Sequence, residues 1–142
     1  QELMCLPGAG ASILEISHRG KAFTTILEAA EANLRELLGL SDRFRVIFLQ
    51  GGSRLQFSMI PMNFLNGRSA DYITTGTWGE KAIVEARREG SVREAWSGEE
   101  TQYKRIPSND ELELDANAAY AYFTSNETIQ GVQFQKEPDK IL

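Results

Sequence analysis

Short apolar runs alternate along this chain with segments of helical period, and that alternation limits its fold more than any single motif does. The run FRVIFL, residues 44–49, is rich in β-branched and aromatic residues and reads as a buried strand. Before it, Phe23, Ile26, Leu27, Ala30, Leu34, Leu37 and Leu38 recur at helical spacing, with Gly39 placed to stop the helix. After it, Leu55, Met59 and Met62 follow Ser53, a candidate N-cap, in a second helix that Pro61 must kink or restart. ADYITTG predicts a strand, and WGEKAIVEARREG a helix with Ala82, Ile83 and Ala86 inward and Gly90 as its terminator. SVREAW reads as a brief strand, residues 97–116 as a loop excursion, AAYAYFT as a strand, SNETIQG as a turn and VQF as a further extended piece. Strands separated by helices of this length imply right-handed crossovers, hence an α/β fold with a mainly parallel sheet and flanking helices. For 142 residues, 42% of them hydrophobic, a single domain with one core is the expectation.

In such a sheet, ligands gather at the carboxyl ends of the strands. The residues to inspect are therefore 51–54, 76–78 and 125–128. The stretch FLQGGSRLQF ends its apolar run on Gly51 and Gly52 and restarts at once with Ser53 and Arg54. A strand-to-helix turn there makes backbone N–H groups converge with the positive end of a helix dipole, and Arg54 adds a full charge. Such a point suits an anion, most simply a phosphate. A tight turn alone accounts for the glycine pair as well, because short glycine motifs are weak evidence. Trp78 offers a flat aromatic face, or else caps the sheet as a core residue. Asn126 and Thr128 form a polar cluster that ordinary turn chemistry explains equally well. Together these features suit a phosphorylated aromatic cofactor.

A net charge of −5 argues against nucleic acid as a partner, and Arg87 and Arg88 face Glu85 and Glu89 on what reads as a solvated helix face. No apolar run approaches the roughly 20 residues a membrane span requires, and the start QELMCLPGAG lacks a basic segment followed by an apolar one. A cytoplasmic enzyme or binding protein is the expectation. Cys5 is the only cysteine and His18 the only histidine, so neither an internal disulfide nor a Cys/His metal site is expected.

The segments MCLPGAGASILEISHRGKAF, VIFLQGGSRLQFSMIPMN, ADYITTGTWGEKAIVEA and YFTSNETIQGVQF closely resemble, in order and spacing, the N-terminal part of the phosphoserine aminotransferase family. These are class V aminotransferases of pyridoxal-phosphate fold type I. Four motifs in register are far more specific than any one. The resemblance implies that the glycine turn holds the phosphate of pyridoxal 5′-phosphate, with Gly52, Ser53 and Arg54 on the matching positions. It further implies that Trp78 stacks on the pyridine ring, that Thr128 contacts the ring, and that Arg19, in SHRG, binds the acidic group of the substrate with His18 beside it. The implied reaction is reversible amino transfer between L-glutamate and 3-phosphohydroxypyruvate, a phosphorylated 2-oxo acid, giving phosphoserine in serine biosynthesis. A cytoplasmic homodimer is implied with it.

The sequence departs from the family pattern in one respect. The lysine that forms the Schiff base, and the aspartate that faces the pyridine nitrogen, fall beyond Leu142 in the family; Lys21, Lys81, Lys104, Lys136 and Lys140 lie on helix faces or polar loops. No catalytic residue is therefore assigned within the chain. The expectation is a fragment of the large, cofactor-binding domain of a longer enzyme, inactive when isolated. Two other readings stand beside it: another class V enzyme, such as an alanine–glyoxylate aminotransferase, or a non-catalytic module that binds a phosphorylated ligand or pairs with a chain supplying the lysine.

Overall fold

A computed structural model describes residues 3–138 and divides the chain into two units, Gln1–Leu49 and Gln50–Leu142. In the first, helix α1 (Lys21–Leu38) carries the predicted apolar stripe, and Gly39 ends it with its N–H on the Arg35 and Glu36 carbonyls. Arg35 pairs with Glu31 at 2.8 Å and donates to the carbonyls of Ser41 and Phe44, which folds the following segment back on the last turn. The expected strand FRVIFL does not form. The segment pairs with none of the described strands, and Phe44, Ile47, Phe48 and Leu49 are all more than half exposed. Its residue types tolerate a strand, but a ladder also needs a neighbour to accept its N–H and C=O groups.

The second unit contains α2 (Gln56–Phe64), β1 (Ala70–Thr74), α3 (Thr77–Glu89), β2 (Val92–Ser97) and β3 (Ala121–Phe123). The strands form a parallel sheet in the order β2-β1-β3, with β1 central and every one of its residues buried. Both faces of β1 are covered, so even its polar residues Asp71 and Thr74 are buried. Ala82, Ile83 and Ala86 of α3 pack with Leu65, Ala70 and Tyr72, and Phe57, Val92, Tyr120 and Tyr122 close around them. The predicted inward face of α3 is the observed one.

Two details of α2 differ from expectation. Ser53 opens a 3₁₀ turn, Ser53–Leu55, and caps nothing: the N-cap is Gly52, and no side chain bonds there. Pro61 is buried inside α2, which runs through it as one helix, so the missing N–H removes a single bond without a restart.

Residues 97–116 make the expected excursion, with 3₁₀ turns at Glu99–Thr101 and Asn109–Glu111. Buried Asp71 of β1 pins it to the sheet: its carboxylate pairs with both Nε and Nη2 of Arg93 at 3.0 Å and accepts the Asp115 N–H, while Arg93 donates to the Glu113 carbonyl. The predicted turn SNETIQG and the piece VQF make a small antiparallel hairpin, β4 (Asn126–Glu127) and β5 (Val132–Gln133). No described helix is long and apolar enough to cross a membrane.

Candidate functional site

The first N–H groups of a helix have no carbonyl within it to bond. At the start of α3 they are met by the hairpin instead. The Thr77 N–H donates to Gln130 Oε1 at 3.2 Å, Trp78 to Glu127 Oε2 at 2.9 Å and Gly79 to Glu127 Oε1 at 2.8 Å. Gln130 returns a bond from Nε2 to Thr77 Oγ1 at 2.7 Å. Glu127 is wholly buried, its negative charge set at the positive end of the helix dipole. The approach is so close that a Cβ on Gly76 would stand 2.6 Å from Gln130 Oε1 and 2.8 Å from Glu127 Oε2, which only glycine avoids.

The Trp78 side chain is fixed by the same hairpin. Its indole Nε1–H donates to Thr128 Oγ1 at 2.9 Å, and the Lys81 ammonium lies 4.5 Å from the ring centroid. Two residues that the sequence placed past separate strand ends are thus in direct contact. Glu127 and Gln130 were not singled out from the sequence. They flank Thr128 in NETIQ, but an acid and an amide in a polar turn look like solvated surface, and their partners lie about fifty residues away.

The glycine turn forms the second part of the site. Gly51 has φ 101°, a conformation that favours glycine. Gly52 is extended, and nothing lies within 4 Å of the position its Cβ would take, so bare backbone faces open space. Gln50, Gly51, Gly52, Arg54, Leu55, Ser58 and Glu85 line a cleft of about 480 Å³. Ser53 and Arg54 begin the 3₁₀ turn, where N–H groups again lack helical acceptors. The Arg54 guanidinium is 3.7 Å from Glu85, which also holds Arg88 at 2.6 Å. With Arg54 exposed and the separation long, a pair of this kind is worth about 0–1 kcal/mol, too little to keep Arg54 from a dianion. Bare glycine backbone, the Ser58 hydroxyl and the Arg54 guanidinium line the cleft and form a donor set that fits a phosphate; Ser53 is in the turn but not in that lining.

His18 and Arg19 belong to the first unit. Both are exposed and precede α1, as the sequence placed them, and the Arg19 N–H donates to Ser17 Oγ at 3.2 Å. The structure brings Trp78 and Thr128 together, and it gathers Gly52, Ser53 and Arg54 in one turn.

A family model described as aminotransferase class-V matches residues 4–140. The phosphoserine aminotransferase of Rhodopirellula baltica is 53% identical over 140 residues, covering 97% of this chain. Among solved structures, phosphoserine aminotransferase from Bacillus circulans subsp. alkalophilus has a TM-score of 0.83 at 44% identity over 98% of the chain. A PLP-bound phosphoserine aminotransferase from Trichomonas vaginalis has a TM-score of 0.84 at 37% identity over 97% of the chain. In every case the chain spans only 37–39% of the relative's length.

Proposed function

The chain belongs to the class-V aminotransferase family, and from that premise we propose that it forms cofactor-binding structure of a phosphoserine aminotransferase. The enzyme moves an amino group between L-glutamate and 3-phosphohydroxypyruvate with pyridoxal 5′-phosphate, working as a cytoplasmic homodimer. The observation that carries this reading is the indole of Trp78, fixed at its edge by Thr128, in the same unit as an open, donor-lined glycine turn.

The bound cofactor supplies an electron sink, and the protein supplies position and electrostatics. Gly52, Ser53 and Arg54 would hold the phosphate, Gly52 with bare backbone and Arg54 with a guanidinium that only a weak pair with Glu85 restrains. Trp78 would offer its indole face to the ring. Lys81 opposes this little, since a cation over an exposed aromatic face is worth about 0.5–1 kcal/mol. Thr128 accepts the indole N–H and keeps its own hydroxyl proton, which would be free to donate to the cofactor. Glu127 already takes the N–H groups at the start of α3, which would leave the glycine turn as the place for a phosphate. Arg19 would bind a carboxylate or phosphate of the substrate through its planar guanidinium, with His18 beside it.

The test uses the full-length protein. Titration with pyridoxal 5′-phosphate should quench tryptophan fluorescence, less so in Trp78→Phe, and glutamate should aminate 3-phosphohydroxypyruvate in preference to hydroxypyruvate. Absence of cofactor binding, or equal rates with the two oxo acids, would overturn the reading.

A further inference from the structure

Two carboxylates are buried among the described residues. Asp71 has Arg93 as its counter-ion. Glu127 is paired differently: its oxygens accept from the backbone N–H groups of Trp78 and Gly79. A buried charge is expensive unless hydrogen bonds and fixed dipoles compensate it, and here charged hydrogen bonds and the helix dipole do so. The next residue, Thr128, accepts from the indole of that same tryptophan. Consecutive residues of the hairpin therefore grip Trp78 at both its backbone and ring nitrogens, which sets the position of the helix start and the plane of the indole together.

We infer that Glu127 is a positioning residue for the ligand-binding face of Trp78, acting through the first turn of α3 and reserving that helix end against a competing anion. The inference deepens the cofactor reading above and rests on it for the identity of the ligand. It assigns Glu127 no contact with cofactor or substrate. A neutral isostere should then disturb the tryptophan before any ligand is added. Glu127→Gln keeps the shape but replaces one accepting oxygen with an NH₂ that faces an N–H donor.

The experiment measures the near-ultraviolet circular dichroism of Trp78 in the full-length, cofactor-free protein, taken as the difference from Trp78→Phe, followed by titration with pyridoxal 5′-phosphate. In Glu127→Gln the Trp78 signal should weaken and cofactor affinity fall about tenfold, the scale of one charged hydrogen bond. Glu127→Asp, which keeps the charge with a shorter reach, should restore part of both, and it carries the test if the glutamine variant does not fold. Unchanged Trp78 dichroism and affinity in the folded variants, with only a lower melting temperature, would reduce Glu127 to a structural cap and overturn the inference. If the unaltered protein binds no cofactor, the functional reading fails instead, and the dichroism still decides whether Glu127 positions the indole.

Discussion

The indole nitrogen of Trp78 lies 2.9 Å from the hydroxyl oxygen of Thr128, fifty residues further along the chain. Thr128→Val removes that acceptor with almost no change of volume. Because the pair is exposed, water replaces the bond, and stability should fall by no more than about 0.5–1.5 kcal/mol. Cofactor affinity should fall further than stability, since the ring loses both its oriented indole and the hydroxyl proton. Thr128→Ser should retain both properties. Equal loss of affinity in the valine and serine variants would show that the hydroxyl is irrelevant.

Trp78 itself should matter through stacking. Aromatic contacts contribute about 0.5–1.5 kcal/mol beyond burial, so Trp78→Ala should weaken cofactor retention by roughly tenfold. A tryptophan that merely caps the sheet would lower the melting temperature and leave the affinity of folded molecules unchanged. Cofactor titration alongside thermal melts separates the two.

The Arg54–Glu85 pair makes opposite predictions for its two members. Their 3.7 Å separation and the exposure of Arg54 make it a weak tether. Glu85→Gln removes the acid from the cleft and should tighten binding of inorganic phosphate by about two- to fivefold at low salt. Arg54→Ala should weaken it by about tenfold. Equal phosphate affinity in both variants, measured by calorimetry, would move the anion site away from this cleft.

What the sequence made legible was local. The inward face of α3 follows from helical period, and β1 from a short run with Tyr72, Ile73 and Thr74 that closes on Gly76, because both signals lie within or beside the element. FRVIFL carried the same kind of signal and failed, since composition states what a strand tolerates and not whether a partner lies alongside. Ser53 looked like a cap, but the chain tightens into a 3₁₀ turn one residue earlier than an N-cap reading requires. Glu127 was illegible for a stronger reason: its meaning lies in two N–H groups 49 and 48 residues away.

Acid should loosen the excursion at Glu111. Its carboxylate accepts from both terminal nitrogens of Arg105, at 2.8 and 2.7 Å, and from the Ser108 N–H at 2.8 Å. Arg105 first, and then the Ser108 backbone, hold its pKa down at about 2 against an ordinary 4.5. The folded value lies below the unfolded one, so the contribution is complete above pH 4.5, declines as pH falls and is gone near pH 2. Protection of the Ser108 amide from hydrogen exchange should decrease across that window, and Glu111→Gln should abolish the pH dependence there. A protection profile unaffected by that substitution would contradict the assignment.

Arg19 precedes α1 on an exposed turn, where an arginine is by default a solvated group. What sets it apart is the charge of the proposed substrates: glutamate and 3-phosphohydroxypyruvate both present anionic groups that a planar guanidinium binds through two parallel bonds. An ammonium keeps the charge and loses the fork. Arg19→Lys in the full-length protein should therefore raise KM for one or both substrates, leave cofactor binding nearly intact, and reduce kcat/KM by about 1.5–3 kcal/mol, the scale of a charged hydrogen bond. His18, beside it on the same exposed turn, should matter less. Steady-state kinetics with both substrates decide the role, because a purely structural arginine would lower the melting temperature without a selective rise in KM, and an unchanged kcat/KM for both substrates would remove Arg19 from the site.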